Sequence, residues 1–264
     1  MSWRRIAGFR LVTADLDRAT RFYLALGFSL GAREPVARSD MALLGLDGGA
    51  SRQNLTLGLS RLALERFDEP GRVYPAGADA AALIFQHFAL SAGDAATSWA
   101  KALAAGAVPI SRDGPVVLPA ADGAVTAVKF RDPDGHPLEI IEFPGRAAKG
   151  AGLVEIDHSA ISVRDVATSR RFYRAHGLVE AATTLNRGPT QERLDGLVGV
   201  AVEVAPLNPA ERAPHLELLG YQRPTGKSFG PILPNDIAAS RIVWSAGETA
   251  LLRDPDGHLH QLEP

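Results

Sequence analysis

Cysteine is absent from this chain of 264 residues. Its absence excludes disulfides, zinc–thiolate sites and a cysteine nucleophile. Any metal ion would have to be held by histidine, carboxylate or amide oxygen. Such ligands favour Mn, Fe, Ni, Zn or Mg over clusters that need sulfur. The metal chemistry open to the chain is therefore that of imidazole and oxygen.

Long apolar runs and a strong excess of either charge are also missing. No run of about 18 apolar residues occurs, and MSWRRIAGF leads directly into a strand pattern without the apolar segment of a signal peptide. The formal net charge is −2, which favours neither nucleic acid nor an anionic membrane as a partner. We therefore expect a cytoplasmic monomer or homodimer whose partner is a small-molecule substrate or ligand.

The sequence RDPDGH occurs twice, at 131–136 and at 253–258. Proline sets φ at the first corner of a turn, while Asp and Gly tolerate the left-handed conformations of a tight reversal. Each copy is followed by an apolar strand pattern. Two such turns in matching surroundings indicate an internal repeat.

The repeat extends over a strand and a helix. IAGFRLVTADLDRATRFYLALGF, from Ile6, aligns with IDHSAISVRDVATSRRFYRAHGL, from Ile156, and a weaker copy begins at Gln86. Each copy has an alternating apolar strand, an Asp that caps a helix, and a Gly that ends it. We predict helices over 16–26 and 166–176.

The repeats predict an α+β fold of tandem βαβββ modules. Four copies are expected, and the last is shortened because no capped helix pattern lies between Ile237 and Arg253. An amino-terminal pair in residues 1–145 and a carboxy-terminal pair in residues 153–264 would each form a curved sheet. The Gly/Ala-rich stretch 144–152 would link them. The modules are predicted to span 4–62, 84–143, 154–221 and 235–264.

This unit, with its RFY helix followed by GF or GL and its closing DPDGH turn, resembles the vicinal oxygen chelate superfamily. That superfamily includes glyoxalase I, bleomycin-resistance proteins and extradiol dioxygenases. The resemblance covers nearly the whole chain and implies that paired modules form a cup. It also implies that ligands for a divalent metal, Fe, Mn, Ni or Zn, project inward from the first and last strands of each module.

The resemblance places the candidate site in the carboxy-terminal half. The metal ligands would be His158, Glu217 and Gln261, with Glu217 also the catalytic base. His215 and Asp236 would contact the substrate. Strand alternation independently puts His215 and Glu217 on one face.

In the amino-terminal half, Gly8 and a residue near Thr56 stand where ligands are expected. His87 and Glu139 would then remain as a vestigial site. Two ligands seldom hold a metal in water, so we expect this cup to be degenerate.

Three functions remain open from sequence. A metal-dependent lyase or isomerase would act on a small substrate with vicinal oxygens, using the metal as a Lewis acid. A ring-cleaving dioxygenase would need iron on two histidines and one carboxylate, but the metal ligands that the resemblance implies include a single histidine, His158. A metal-free protein of the bleomycin-resistance type would bind a small molecule in the cup.

Overall fold

A computed structural model of the chain describes residues 2–120, 123–145, 152–211 and 214–264. The predicted linker 144–152 falls largely on residues 146–151, which lie outside the described residues. No helix within the described ranges is long and apolar enough to cross a membrane.

The chain forms four successive modules that repeat the order strand, helix, strands, except for the last. The first contains β1 (Arg5–Val12), α1 (Leu16–Leu26), β2 (Ser29–Pro35), α2 (Arg38–Leu44), β3 (Ala50–Leu57) and β4 (Ser60–Phe67). The second contains β5 (Gln86–Ala92), α3 (Ala95–Ala104), β6 (Val108–Pro109), β7 (Val116–Ala120), β8 (Gly123–Arg131) and β9 (Pro137–Glu142).

The third module contains β10 (Leu153–Ser162), α4 (Val166–Ala175), β11 (Val179–Glu180), β12 (Thr184–Arg187), α5 (Pro189–Asp195), β13 (Ala201–Asn208) and β14 (His215–Arg223). The fourth contains β15 (Arg241–Ser245), β16 (Ala250–Arg253) and β17 (Leu259–Glu263). Residues 214–264 are all described and include no helix, so the predicted shortening of the last module is confirmed, as is the α+β fold class.

The helix boundaries follow the caps that the repeat predicts. The Asp15 carboxylate accepts hydrogen bonds from the backbone N–H groups of Asp17 and Arg18 at 3.0 Å each. Asp165 caps α4 in the same way through the N–H of Thr168. After α1 the chain turns at Gly27, whose φ of 105° is a left-handed conformation that a Cβ would strain.

The modules pair between the halves of the chain rather than within them, through β1 with β15 and β5 with β10. A seven-stranded sheet, here called the first sheet, has the order β16-β17-β15-β1-β4-β3-β2 and joins the first module to the fourth. A larger sheet, the second sheet, follows the path β11-β13-β14-β10-β5-β9-β8-β6 and joins the third module to the second. The prediction that residues 1–145 and 153–264 would each form their own cup is therefore wrong. The division into two folding domains at that boundary stays a prediction.

The reason for this pairing lies in the apolar faces of the first strands. Phe9 of β1 stacks on Phe88 of β5 with ring centroids 5.3 Å apart, and α1 packs against α3. Modules one and two thus pack face to face, within a core that holds buried residues of both sheets. Their edges remain free to pair with modules four and three. Each sheet keeps a concave face away from that core, called here the first cup and the second cup.

The two RDPDGH turns bond to the helices of the preceding modules. Asp132 accepts hydrogen bonds from the N–H groups of Asp134 and His136, each at 2.9 Å. Its other carboxylate oxygen accepts the hydroxyl of Tyr23, from α1, at 3.0 Å. His136 in turn donates through Nε2 to the carbonyl of Ile237, in the chain segment that leads into the fourth module.

The second turn repeats these contacts. Asp254 accepts from the N–H of His258 and from the hydroxyl of Tyr173, at 2.9 and 2.8 Å, and His258 Nε2 donates to Ser162 O. Each copy of the turn thus closes a hairpin and also joins its module to the neighbouring ones by hydrogen bonds.

Replacement of either tyrosine by phenylalanine should destabilise the fold. Tyr23→Phe and Tyr173→Phe each remove one donor from a buried carboxylate, and we expect each to lower the free energy of unfolding by about 1–3 kcal/mol. Urea unfolding measures the change. Asp17→Ala is the control, because it removes an exposed ion pair with Arg33 and should cost about 1 kcal/mol or less. Unfolding curves of the tyrosine variants that match wild type would contradict a linking role for the turns.

Candidate metal centre

Four side chains from four strands converge in the second cup. They are His87 on β5, Glu139 on β9, His158 on β10 and Glu217 on β14. The register explains the convergence: Ala160, two residues beyond His158, lies opposite both His87 and Glu217. On the other side of β5, Glu139 pairs with Ala89, which is two residues beyond His87. Because alternate residues share a face, all four side chains point into the cup.

Three of these side chains bring polar atoms close together, and Glu217 approaches the third of them, His158. His87 Nε2 lies 2.8 Å from Glu139 Oε2. His158 Nε2 lies 3.8 Å from that same oxygen and 3.7 Å from Glu217 Oε2. One ligand atom each of His87, Glu139 and His158 fall within 4.8 Å of one another.

The surroundings set the charge of each group. Burial lowers the pKa of His87, so its imidazole is neutral and its lone pair is available. Burial opposes ionisation of His158, but Glu217, Asp157 and Glu139 together raise its pKa well above the usual value. Burial likewise opposes ionisation of Glu139, yet the nearby imidazoles of His158 and His87, with Lys129, hold its pKa well below the usual range.

Asp157 orients one of the imidazoles. Its carboxylate lies 3.0 Å from His158 Nδ1, so Nδ1–H donates to Asp157 and Nε2 faces the cup. A carboxylate behind a histidine in this way sets the ring orientation and raises the basicity of the free nitrogen. His215 lies nearer the rim, where its Nε2 is 3.4 Å from Glu217 Oε1.

The residues fit a divalent metal ion. His87 is 2% exposed, yet neither of its ring nitrogens makes a hydrogen bond of normal geometry, despite the short approach of Nε2 to Glu139. Because His87 Nε2 and Glu139 Oε2 are close but not aligned for a hydrogen bond, they are placed as two ligands of one cation would be. Two imidazoles and two carboxylates are a donor set for Zn, Ni, Mn or Fe.

A cavity of about 350 Å³ opens onto these four residues. Beside it, Lys129 pairs across the strands with Glu139, and its Nζ lies 2.7 Å from Asp195 of α5. Gln191 holds the second oxygen of Asp195 at 2.9 Å. Tyr221 also lines the cavity. Sequence reasoning missed these residues, since lysine, aspartate and tyrosine in ordinary strand and helix contexts carry no signal of their own.

Two of the predicted site residues lie elsewhere. Gln261 is on β17 of the first sheet and does not meet His158 or Glu217, because the fourth module pairs with the first. Asp236 lies before β15, where it forms an ion pair with Arg72 and accepts the N–H of Leu233 at 2.7 Å. It stabilises a turn outside the second cup.

The assignment of His87 and Glu139 to a vestigial amino-terminal site is also corrected. They share the second cup with His158 and Glu217. The family resemblance identified each of the four residues as a candidate. Because they lie in different halves of the chain, the sequence analysis assigned them to two different cups. The antiparallel pairing of β5 with β10 brings them into one.

The first cup carries none of these ligands at the equivalent positions. By register those positions are Gly8, Ala63, Arg241 and Gln261. Ala63 takes the place that sequence assigned to a residue near Thr56, which lies on β3 instead. A Cβ at residue 8 would lie 3.0 Å from the carbonyl oxygen of Arg61, so a side chain there would require the backbone of β4 to shift by a few tenths of an ångström.

An ion-pair network occupies the first cup instead. Arg241, fully buried, bonds to Glu65, which Arg52 also contacts at 2.9 Å. Burial opposes ionisation of Glu65, but Arg241, Arg10 and Arg52 lower its pKa. The guanidinium of Arg241 thus supplies positive charge where the second cup has histidine, and this part of the structure lacks a metal-ligand set.

Comparisons with known proteins agree with this architecture. Residues 5–140 match the sequence profile of the Glyoxalase/Bleomycin resistance protein/Dioxygenase superfamily. No curated protein matches the chain. Glyoxalase I from Zea mays superposes with a TM-score of 0.63 at 19% identity, over 98% of this chain and 92% of that one.

A single-residue variant of the maize enzyme gives a TM-score of 0.65, also at 19% identity, with coverage of 98% and 92%. A protein from Bacillus subtilis subsp. subtilis str. 168, named as a candidate dioxygenase, gives 0.61 at 12% identity, covering 99% of this chain and 85% of that one. At such identities these similarities show the fold.

The convergence predicts one metal ion per chain, bound in the second cup. His87→Ala, His158→Ala and Glu217→Ala should each abolish metal uptake while the fold persists, because a ligand set fails when a member is removed. Metal analysis after dialysis against Zn, Ni or Mn gives the stoichiometry, and circular dichroism checks the fold. Gln261→Ala is the matched control in the first cup and should retain the full metal content. Two ions per chain, or metal loss in the control, would show that the site is misplaced.

Proposed function

Because this chain belongs to the glyoxalase/bleomycin resistance protein/dioxygenase superfamily, we propose that it is a metal-dependent lyase or isomerase acting on a small substrate with two vicinal oxygens. The observation that supports this most is the convergence of two imidazoles and two carboxylates in the second cup. A divalent metal bound there would act as a Lewis acid toward the substrate oxygens.

The number of carboxylates favours proton transfer over ring cleavage. Iron oxygenases use two histidines with one carboxylate. Here a second carboxylate is present, and it is available to act on a proton. This donor set therefore supports isomerase or lyase chemistry better than dioxygenase chemistry.

The two glutamates differ in ways that suggest separate roles. The side chain of Glu139 is 7% exposed, and its Oε2 lies 2.8 Å from His87 Nε2. The side chain of Glu217 is 20% exposed, and its nearest imidazole contacts are longer, at 3.4 and 3.7 Å. Glu139 is therefore the more firmly fixed of the two ligands, and Glu217 is the ligand with freedom to reach a substrate carbon.

Glu217 would serve as the general base. Opposing burial, the imidazoles of His158 and His215 lower its pKa, so it is a carboxylate at neutral pH. In an isomerisation, a Glu217 oxygen takes the proton from the carbon next to the carbonyl, and the electron pair moves onto the carbonyl oxygen. Transfer of the hydroxyl proton to that oxygen, and return of the carbon proton to the former carbonyl carbon, complete the reaction. His215, beside Oε1, would orient the carboxylate during both transfers.

A metal-free binding protein is the second candidate. The raised pKa of His158 supports it, since an imidazolium placed between Glu139 and Glu217 balances their charge without an ion. In that case the cup would bind a small molecule without changing it.

Hydrogen exchange at the substrate carbon separates the two candidates. Metal-loaded protein should exchange the α-proton of small α-hydroxyketones with deuterated water, as followed by NMR. In excess metal, Glu217→Gln should lower the exchange rate per bound metal by about 10²-fold or more, because the amide is not a base. Gln261→Glu, which adds a carboxylate at the equivalent position of the first cup, is the control and should leave the rate unchanged. Ligand binding without metal and without exchange would establish the binding protein instead.

A further inference from the structure

The walls of the second cup restrict which substrates can enter it, and this inference rests on the function proposed above. We propose that the cup binds a neutral, mostly apolar substrate, with the vicinal oxygens at one end and a hydrogen-bond acceptor at the other. The hydroxyl of Tyr221 would donate to that acceptor. The argument depends on the charge balance, the apolar walls and an unpaired hydroxyl.

The charges of the cavity cancel once a divalent ion is bound. Two carboxylates, Glu139 and Glu217, match the charge of such an ion. Lys129 is the one lysine or arginine among the described residues that line the cavity, and Asp195 neutralises it at 2.7 Å. Because both partners are buried, neither is available to a charged ligand without breaking the pair. An anionic substrate group would therefore find no free cation.

The middle of the cavity is apolar. Leu194 of α5 faces Val202 and Leu219 of the second sheet, and all three are less than 5% exposed. At the rim the polar side chains are neutral, namely Thr184 and Asn186. A volume of about 350 Å³ lies at the lower end of the range for small-molecule sites. These walls suit an apolar body the size of a substituted ring.

Tyr221 supplies the polar group at the far end. It lies on the same face of β14 as Glu217, on the other side of Leu219, so the apolar wall separates it from the metal ligands. The residue is 7% exposed, and its hydroxyl makes no hydrogen bond of normal geometry. Burial and the nearby Asp195 carboxylate raise the pKa of Tyr221, so the hydroxyl keeps its proton, while the two oxygens of Asp195 already accept from Lys129 and Gln191. An unpaired buried hydroxyl costs about 1–3 kcal/mol, which an acceptor on the ligand would recover.

Hydroxamates test the inference without requiring turnover, because their two adjacent oxygens chelate a metal as a vicinal-oxygen substrate would. The zinc-loaded full-length protein is titrated with three benzohydroxamic acids of similar size. Their para substituents are methoxy, which accepts a hydrogen bond, methyl, which does not, and carboxylate, which is charged. Calorimetry gives the dissociation constants.

We expect the methoxy compound to bind at least about tenfold more tightly than the carboxylate compound, since burying an unpaired charge is costly. Tyr221→Phe should weaken binding of the methoxy compound about two- to tenfold and leave the methyl compound unchanged. Zinc content should stay at the wild-type value. Tyr74→Phe, a tyrosine outside the cavity lining, is the matched control and should change none of the three.

Equal or tighter binding of the carboxylate compound would overturn the neutral-substrate inference, and so would a failure of all three to bind. A uniform loss in Tyr221→Phe would overturn the role of the hydroxyl. If the expected preferences appear but no α-hydroxyketone exchanges its proton, the proposed function fails while the selectivity of the cup stands.

Discussion

The candidate site depends on the antiparallel pairing of β5 with β10. These are the first strands of two modules that lie in different halves of the chain, and their register sets Ala160 opposite His87. Because side chains alternate along a strand, a slip of one residue would turn one of the two histidines out of the cup. The two glutamates follow from the same register, since β9 and β14 flank this strand pair on either side.

Much of the fold was accessible from the sequence because it is local. Asp15 and Asp165 mark helix starts, and Gly27 marks a helix end, through hydrogen bonds and φ angles that involve a few neighbouring residues. The missing helix of the last module followed from the lack of a capped pattern. Each of these features depends on the chain within one turn of the residue concerned.

The grouping of the site residues was not accessible in the same way. His87, Glu139, His158 and Glu217 could each be recognised by position within a module. Which cup each belonged to depended on which strand edges meet, and that depends on packing between modules, such as the stack of Phe9 on Phe88. Proximity in the chain favoured the wrong partners. Tyr221 and Lys129 became visible only when the cup placed them beside the cavity.

The two cups show alternative solutions to one electrostatic problem. A concave sheet face that gathers buried carboxylates needs compensating positive charge. In the second cup the histidines and, as we propose, a metal ion provide it. In the first cup Arg241 and its partners provide it permanently, and Gly8 presents no side chain where the second cup has His158.

The pairing of the first module with the fourth has a consequence for how the protein reaches its folded state. The second sheet is built from modules that are adjacent in the chain. In the first sheet, β1 pairs with β15, whose residues follow it by more than two hundred positions. During synthesis from the amino terminus, the second cup could therefore close while the edge of β1 is still unpaired. Contacts of such long range also slow folding. The half of the molecule that carries the candidate chemistry would thus form first, and the arginine-filled cup would close last.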